Sequence, residues 1–391
     1  MSTTLITNIA ALATGRWGEP ALRDTAILLD GDTVAAVGAD ASPASADRVL
    51  DAGGLTVIPG LVDGHVHPTA GEWTPAQNSV GWIHNYLHGG TTSMVSAGEL
   101  HIPGLPFDEL TPDLVLGIAL TSAVTLGRMR PSGVRVHAGT VLLVPGMDAS
   151  HFDRIAEAGI RQLKFIFYDW SRLGDGEAQQ YVAWAAERDM VVKMHSGGVS
   201  RSGSSRVAGS EVVLQVRPNI VGHISGGPIP MPDNEIGEVV RGLPDAGIEV
   251  CSSMNYRATQ VVVRELRAAG ALDRLTLGTD TPGGTGVIPR GMMRNICFLA
   301  GVCGMDPVDA VAVGTGNTAR FHRIPSGVLE PGAPADLVLL GPVTGSLAAD
   351  GLEAFALGDL PGIAMVMVGG EFLVSGRSEQ TPPPRMQAGW R

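Results

Sequence analysis

The sequence predicts an α/β protein, a (β/α)8 TIM barrel with a small β-sandwich domain formed by both termini. First, strand-like apolar runs alternate with helical patterns through the middle of the chain. Second, both ends contain strand-like runs with no helical pattern between them. Third, 391 residues, 44% of them hydrophobic and 17% charged, suffice for a barrel of about 250 residues and a further domain.

Residues 1–58 form the predicted N-terminal part of the β-sandwich. The strands expected there are residues 4–11, 25–29 and 33–37. Pro59 and Gly60 then interrupt the pattern, so we expect the barrel to begin at residue 59.

Residues 59–325 form the predicted barrel domain. A first strand leads into His65, and further strand-like runs lie at 91–97, 134–144, 162–168, 191–195, 220–224, 248–252 and 275–278. Apolar residues at the helical spacing of 3.6 occur at 148–158, 176–188, 235–243 and 259–271. Eight strand candidates that alternate with helices favour a closed barrel over an open doubly wound sheet.

Residues 326–391 form the predicted C-terminal part of the β-sandwich and a tail. Strand patterns return at 335–340, 363–368 and 371–374. The proline-rich stretch 381–384 is expected to be a surface tail. Because the two ends resemble each other and differ from the middle, one shared β domain is the simplest arrangement.

Composition excludes several classes of protein. The formal net charge of −12 argues against a nucleic-acid partner, and no apolar run is long enough to span a bilayer. The first residues lack the basic region of a secretory signal. The three cysteines have no metal-type spacing, so we expect free thiols and a cytoplasmic protein.

His65 and His67 are the most informative pair in the sequence. They close an apolar strand, and residues two apart on a strand point to the same face. A metal ion is the simplest partner for two adjacent imidazoles at the end of a buried strand. The alternative is a chance pair in a loop.

Three further residues that can bind metal lie at the ends of predicted strands. His195 closes the fifth barrel strand, His223 the sixth, and Asp280 the eighth. A single histidine at such a place can be an ordinary core residue. Since the carboxyl ends of barrel strands meet at one rim, five such residues together predict a metal centre.

The two lysines of the chain, Lys164 and Lys193, both lie inside apolar strand patterns. A buried ammonium group is costly. Carboxylation of Lys164 by carbon dioxide would give an anionic carbamate able to bridge two cations; the alternatives are a side chain that reaches the strand end or pairs with Asp169. Lys193 could touch the site or form a salt bridge deeper in the barrel.

These motifs together resemble the amidohydrolase superfamily, in its cyclic-amidohydrolase branch. The resemblance covers nearly the whole chain and is carried by residues 59–67, 89–92, His195, His223, Asp280 and 327–338. It implies a small-molecule substrate, two divalent metal ions and a homo-oligomer, either a tetramer or a dimer. Zinc is the expected metal, with iron or manganese as alternatives.

The resemblance also implies roles for the predicted ligands. His65, His67 and Asp280 would lie on one side of the ion pair, and His195 and His223 on the other. Carbamylated Lys164 would bridge the two ions. A metal-activated hydroxide would attack the substrate, and Asp280 would act as the catalytic residue that moves the proton.

The expected reaction is hydrolysis of a C–N bond in a cyclic amide, with release of ammonia if the ring is an enamide. Other substrates remain open, namely an imide, a hydantoin-like ring, an acyl amino acid or a dipeptide. A non-catalytic scaffold of the same fold is the less favoured alternative, because every expected ligand is present.

Four residues are predicted to bind the substrate. Arg201, which follows His195, and Arg290, which follows the Asp280 loop, could each bind a carboxylate through a two-pronged contact. Either arginine could instead be an ordinary solvated residue. Ser225 and Tyr256 are the other candidates for the pocket.

Overall fold

The structure is a computed structural model. It describes residues 2–42, 46–68, 82–99, 101–102, 104–200, 203–226, 229–252 and 255–391. Within these residues, no helix has both the length and the apolar content needed to cross a bilayer.

The N-terminal strands are organised around β1 (Thr3–Leu12). β1 pairs antiparallel with β2 (Leu22–Asp30), which in turn pairs with β3 (Thr33–Val37). On its other side β1 has two parallel neighbours, β4 (Arg48–Asp51) near its start and β5 (Thr56–Pro59) near its end. The three N-terminal strands predicted from the sequence are therefore confirmed.

The barrel strands run from residue 61 to residue 278. They are β6 (Leu61–Val66), β7 (Thr91–Ser96), β8 (Arg135–His137), β9 (Val141–Leu142), β10 (Gln162–Phe165), β11 (Val191–His195), β12 (Ile220–Gly222), β13 (Gly247–Cys251) and β14 (Leu275–Gly278). β6 to β8 form one parallel ladder and β9 to β14 form another. This is the predicted TIM barrel, with β8 and β9 sharing the third of its eight positions.

The third position differs from the prediction of one strand over 134–144. The strand is interrupted at Gly139, whose φ of 91° is accessible to glycine but not to most other residues. Hydrogen bonds from and to side chains replace the strand pairing that is lost there. The backbone N–H of Gly139 donates to the carboxylate of Glu99 (2.9 Å), and the hydroxyl of Thr140 donates to the carbonyl of Ser96 (2.6 Å).

The barrel closes where β14 meets β6. The backbone N–H of Asp280 donates to the carbonyl of His65 (2.8 Å), and that of His67 donates to the carbonyl of Thr281 (2.7 Å). The buried carboxylate of Asp63 accepts from the backbone N–H of Thr279 at 2.9 Å and from its hydroxyl at 2.5 Å. Residues next to the predicted ligands therefore hold the first and last strands together.

The helices lie between and after the barrel strands. They are α1 (Trp82–His88), α2 (Pro112–Met129), α3 (Ala149–Glu157), α4 (Glu177–Glu187), α5 (Ser210–Val216), α6 (Asp233–Gly242), α7 (Tyr256–Ala268), α8 (Gly291–Cys297), α9 (Pro307–Ala312), α10 (Thr318–His322) and α11 (Gly351–Leu357). The four predicted helices are confirmed as α3, α4, α6 and α7. Sequence analysis missed α2, although Thr111 followed by Pro112 is a typical start of a helix. In the structure the hydroxyl of Thr111 accepts a hydrogen bond from the backbone N–H of Leu114.

The C-terminal strands join the N-terminal ones in a single sheet. They are β15 (Leu337–Gly341), β16 (Gly362–Val368), β17 (Glu371–Val374) and β18 (Gly389–Trp390). β15 pairs antiparallel with β5 and β16, and β18 pairs with β4, so both ends contribute to a nine-stranded sheet. The boundaries at residues 58 and 325 remain predictions.

The expectation of a surface tail at 381–384 holds for Pro382 and Pro383, which are exposed, but not for Thr381 and Pro384, which are buried. Thr381 is buried, and its hydroxyl accepts from the backbone N–H of Ile363, at the start of β16 (2.9 Å). Nearby, the hydroxyl of Ser378 donates to the carbonyl of His88 at the end of α1 (2.6 Å). The prolines therefore lie in a segment that packs against both the sheet and the barrel.

Arg274 provides a test of the packing beneath β14. It is buried, and its guanidinium donates to the carbonyls of Ala246 (2.9 Å), Val240 (3.1 Å) and Leu243. We expect Arg274→Met to lower the free energy of unfolding by about 2–4 kcal/mol, since these carbonyls lose a charged donor. Urea unfolding followed by circular dichroism measures the change.

The matched control is Arg320→Met. Arg320 is exposed and pairs with Asp273 at 3.5 Å, so its loss is expected to cost less than about 1 kcal/mol. Equal losses in the two variants would show that the buried contacts of Arg274 do not stabilise the fold.

Candidate metal centre

Three of the predicted ligands meet at the closure of the barrel. His65 lies at the end of β6, His67 follows it, and Asp280 comes two residues after β14. Oδ1 of Asp280 lies 3.1 Å from Nε2 of His67 and 3.7 Å from Nε2 of His65. All three side chains are buried, and their ligand atoms are close enough together to share one metal ion.

The other two predicted histidines lie beside this group. His195 ends β11 and His223 follows β12, with Nδ1 of His195 3.1 Å from Nε2 of His223. The ring centroids of His223 and His65 are 5.2 Å apart. The structure therefore brings together all five histidine and aspartate ligands that the sequence predicts.

Hydrogen bonds at the far side of three rings leave one nitrogen of each ring facing the centre. Nδ1 of His67 is 2.8 Å from the carbonyl of Gly98, and Nε2 of His195 is 2.8 Å from that of Gly198. Nδ1 of His65 lies 2.6 Å from the carboxylate of Glu249. Each contact requires an N–H on that nitrogen, so in a neutral ring the opposite nitrogen carries a lone pair, as a metal-binding imidazole must.

His223 gives a second sign that the group suits a metal. Its Nδ1 is buried and has no hydrogen-bond partner among the described residues. Unsatisfied buried polar atoms are uncommon in proteins. Together with a donor set of imidazoles and one carboxylate, which suits zinc, iron or manganese, this atom fits a divalent metal centre.

Backbone conformation directs two of the ligands. His223 has a φ of 36° and Asp280 a φ of 61°, which places both in the left-handed region. Such a conformation costs a non-glycine residue roughly 1–3 kcal/mol and often marks a functional site. Both residues stand where a barrel strand turns into its loop.

Lys164 lies among the ligands, as predicted. Its side chain is fully buried in β10, and Nζ lies 3.3 Å from Nε2 of His65. It makes no ion pair with the described residues, and Asp169 instead accepts from the backbone N–H of Ser171. Burial, assisted by the charge of Lys193, lowers the pKa of Lys164 to about 8.

Lys193 forms the salt bridge that was one of its two predicted roles. It is in register with Lys164 on the neighbouring strand, and its ammonium pairs with Oε2 of Glu249 and donates to the carbonyl of Gly64 (2.6 Å). Burial opposes ionisation of Glu249, but the charges of Lys193 and Lys164 outweigh it and lower the pKa of the carboxyl.

Glu249 is the residue that sequence analysis missed. Its Oε1 accepts hydrogen bonds from Nδ1 of His65 (2.6 Å) and from the backbone N–H of His223 (3.1 Å). It thus contacts one ligand from each half of the centre. An acidic residue inside the apolar strand 248–252 could have indicated it, because a charged residue inside an apolar strand also identified the two lysines.

The predicted substrate-binding residues do not gather in one place. Ser225 is buried two residues after His223, and its hydroxyl has no partner among the described residues. Tyr256 and Arg290 line a cavity whose described lining includes none of the six predicted ligands. Arg201 lies outside the described residues.

A different cavity lies beside His195, on the side of the ring that faces away from the centre, and none of the six predicted ligands is among its described lining. It has a volume of about 930 Å³, and its lining includes Ser205, Arg206 and Trp170. The hydroxyl of Ser205 lies 3.3 Å from Nε2 of His195. This contact connects the cavity to one candidate ligand.

Residues 56–373 match the amidohydrolase family. The chain belongs to this family. Enamidase from Eubacterium barkeri is 35% identical over 390 residues, which cover 99% of each chain. The crystal structure of enamidase superposes with a TM-score of 0.90 over 100% of both chains.

A more distant amidohydrolase is imidazolonepropionase from Streptomyces griseus, 26% identical over 87% of this chain and 93% of that protein. The comparisons confirm the predicted resemblance and the predicted fold. Sequence analysis also predicts a likeness to enamidase in four segments, 87–98, 194–198, 222–228 and 282–289, and this likeness is confirmed at the level of the whole chain.

The buried pair beneath the ligands can be tested in metal-free protein. We expect Lys193→Met to lower the free energy of unfolding by about 3–5 kcal/mol, because Glu249 keeps a buried charge without its main partner. The double variant Lys193→Met/Glu249→Gln should recover most of this loss, since no unpaired carboxylate remains. Urea unfolding of both variants measures the difference, and equal stability of the single and double variants would contradict the assignment.

Proposed function

We propose that this protein is a metal-dependent hydrolase that opens a C–N bond in a cyclic amide whose ring is an enamide. The convergence of five predicted ligands at one rim of the barrel carries the proposal. Similarity to enamidase over the full length supports the substrate class. Alignment over both whole chains also means that the β-sheet domain and the barrel are shared with that relative.

The metal ligands follow from the geometry of the side chains. His65, His67 and Asp280 would hold one divalent ion, and His195 and His223 the other, with Lys164 between them. Zinc is the expected metal, and iron or manganese would suit the same donors. When bound, such ions supply Lewis acidity that activates water near neutral pH and polarises a carbonyl group.

Asp280 would transfer the proton. Its carboxylate faces both His65 and His67, and the loop after it passes so close that a Cβ at Gly284 would lie only 1.8 Å from Oδ2. The carboxylate takes the proton from the attacking water and delivers it to the leaving nitrogen. Ring opening of an enamide gives a carboxylate and an enamine. The enamine can tautomerise to an imine, which a second water hydrolyses to a carbonyl compound and ammonia.

Lys164 would carry a carbamate. A fully buried ammonium with no carboxylate partner is costly, whereas the amine can add carbon dioxide and release one proton. The product is an anion with two oxygens beside Nε2 of His65. Position, burial and the absence of an ion pair with the described residues all support this modification.

The remaining proposals concern the substrate and the setting. Ser225, buried and without a partner among the described residues, is the predicted pocket residue that lies nearest in sequence to a ligand. Three free cysteines and the acidic composition support a cytoplasmic enzyme. The homo-oligomer, a dimer or tetramer, stays a prediction from the family resemblance.

The carbamate can be tested with Lys164→Ala. We expect metal content and hydrolysis to fall together, because the variant lacks the anionic bridge, and short carboxylates or bicarbonate should restore part of both. In wild-type protein supplied with ¹³C-bicarbonate, carbon NMR should show a carbamate resonance that the variant lacks. Full metal content and activity in the variant would remove the proposed bridge.

The reaction can be tested by incubating metal-loaded protein with cyclic amides, enamides, imides, hydantoins, acyl amino acids and dipeptides while hydrolysis of the C–N bond and ammonia release are followed. We expect turnover of a cyclic enamide with ammonia release. Asp280→Asn should reduce kcat by about 10²–10⁴-fold, since proton transfer is lost.

The outer-helix variant Arg128→Gln serves as the control, because Arg128 is exposed on α2 and should leave kcat unchanged. Turnover of imides, hydantoins, acyl amino acids or dipeptides alone would contradict the proposed substrate class. Absence of hydrolysis of every class by metal-saturated protein would contradict the enzymatic function.

A further inference from the structure

A second cavity lies between the start of α7, helix α8 and the turn that follows α11. Its volume is about 550 Å³, within the range of pockets that bind small molecules. Five side chains define its chemical character: Tyr256, Arg290, Arg294, Phe298 and Val302. We call it the arginine cavity.

The arginine cavity is positively charged. Arg290 and Arg294 stand one helical turn apart, and the backbone N–H of Arg294 donates to the carbonyl of Arg290 (2.9 Å). Neither guanidinium forms an ion pair or a hydrogen bond with the described residues, and no acidic side chain is among the described residues that line the cavity. The carboxylate of Asp359, next to the lining residue Leu360, accepts instead from the hydroxyl of Ser346 (2.7 Å).

Arg290 and Arg294 are both exposed, and neither has a carboxylate partner among the described residues. The chain carries a net charge of −12, and many of its other arginines pair with a carboxylate, including Arg135, Arg188 and Arg257. In an acidic protein, two guanidinium groups that face one cavity without an internal anion are suited to an external one.

Aromatic side chains line the cavity beside this charge, and Phe298 follows Arg294 by one helical turn. The ring centroids of Tyr256 and Phe298 lie 5.3 Å apart with an interplanar angle of 39°. Tyr256 is 60% exposed, which is high for a large aromatic side chain in a cavity wall. Aromatic faces bind planar rings, and the phenol can also form a hydrogen bond.

The cavity is separate from the metal centre. Its described lining contains none of the six predicted ligands. It contacts the barrel at the end of β14, where Nδ2 of the lining residue Asn295 donates to the carbonyl of Gly278 (3.2 Å). A ligand in the cavity would therefore lie beside the segment that leads to Asp280, without touching the metals.

We propose that the arginine cavity binds a small planar organic anion, a single ring that bears a carboxylate or a phosphate. The guanidinium groups of Arg290 and Arg294 hold the anionic group, and Tyr256 and Phe298 contact the ring. This assignment does not depend on the proposed hydrolase activity, because it uses no residue of the metal centre.

Isothermal titration of the metal-loaded protein with benzoate and with phenyl phosphate tests the proposal, with benzamide as the neutral analogue. We expect one anion site per chain that persists after the metals are removed and that does not bind benzamide. Arg290→Gln and Arg294→Gln should each raise Kd at least about tenfold, since each removes a charge-assisted contact. Tighter binding of one anion identifies the preferred group.

Arg128→Gln is the matched control, because it removes an exposed arginine from α2 and should leave Kd unchanged. Circular dichroism confirms that each variant is folded. No binding of either anion, equal binding of benzamide, or unchanged Kd in both cavity variants would overturn the proposal, as would binding that disappears with the metals.

Discussion

The closure of the barrel between its first and last strands determines where the chemistry can occur. Backbone hydrogen bonds join His65 to Asp280 and His67 to Thr281. The side chains of His67 and Asp280, 213 positions apart in sequence, therefore become neighbours. The intervening parallel strands then place their own terminal residues at the same rim. The candidate metal centre is thus a consequence of strand order, with each strand end supplying at most two of the predicted ligands.

Buried charge beneath the rim sets a second constraint. Lys164 and Lys193 lie side by side in neighbouring strands, and Glu249 is the carboxylate that balances Lys193. Glu249 also orients His65 and contacts the backbone of His223, which couples the ion pair to both halves of the centre. The proposed carbamate at Lys164 would replace the second buried cation by an anion, which is the charge that two metal ions require.

The sequence predicted those features that depend on periodicity and on strand ends. His65, His195 and Asp280 were found because parallel strands align their carboxyl ends. Glu249 was missed, because an acidic residue within a short apolar strand was not weighed as a charge partner for Lys193. The break at Gly139 could not be predicted, since it depends on a contact with Glu99, in the loop that follows β7. The position of Arg290 in a loop likewise does not show which cavity its side chain lines. The residues that line the cavity with it, such as Tyr256, are known only from the structure.

The central claim is that these side chains hold two metal ions. Anomalous diffraction from crystals grown with zinc, recorded on both sides of the zinc absorption edge, tests it most directly. The account predicts two strong peaks, one among His65, His67 and Asp280 and the other beside His195 and His223. Crystals in which these side chains are dispersed, with no anomalous peak among them, would contradict it.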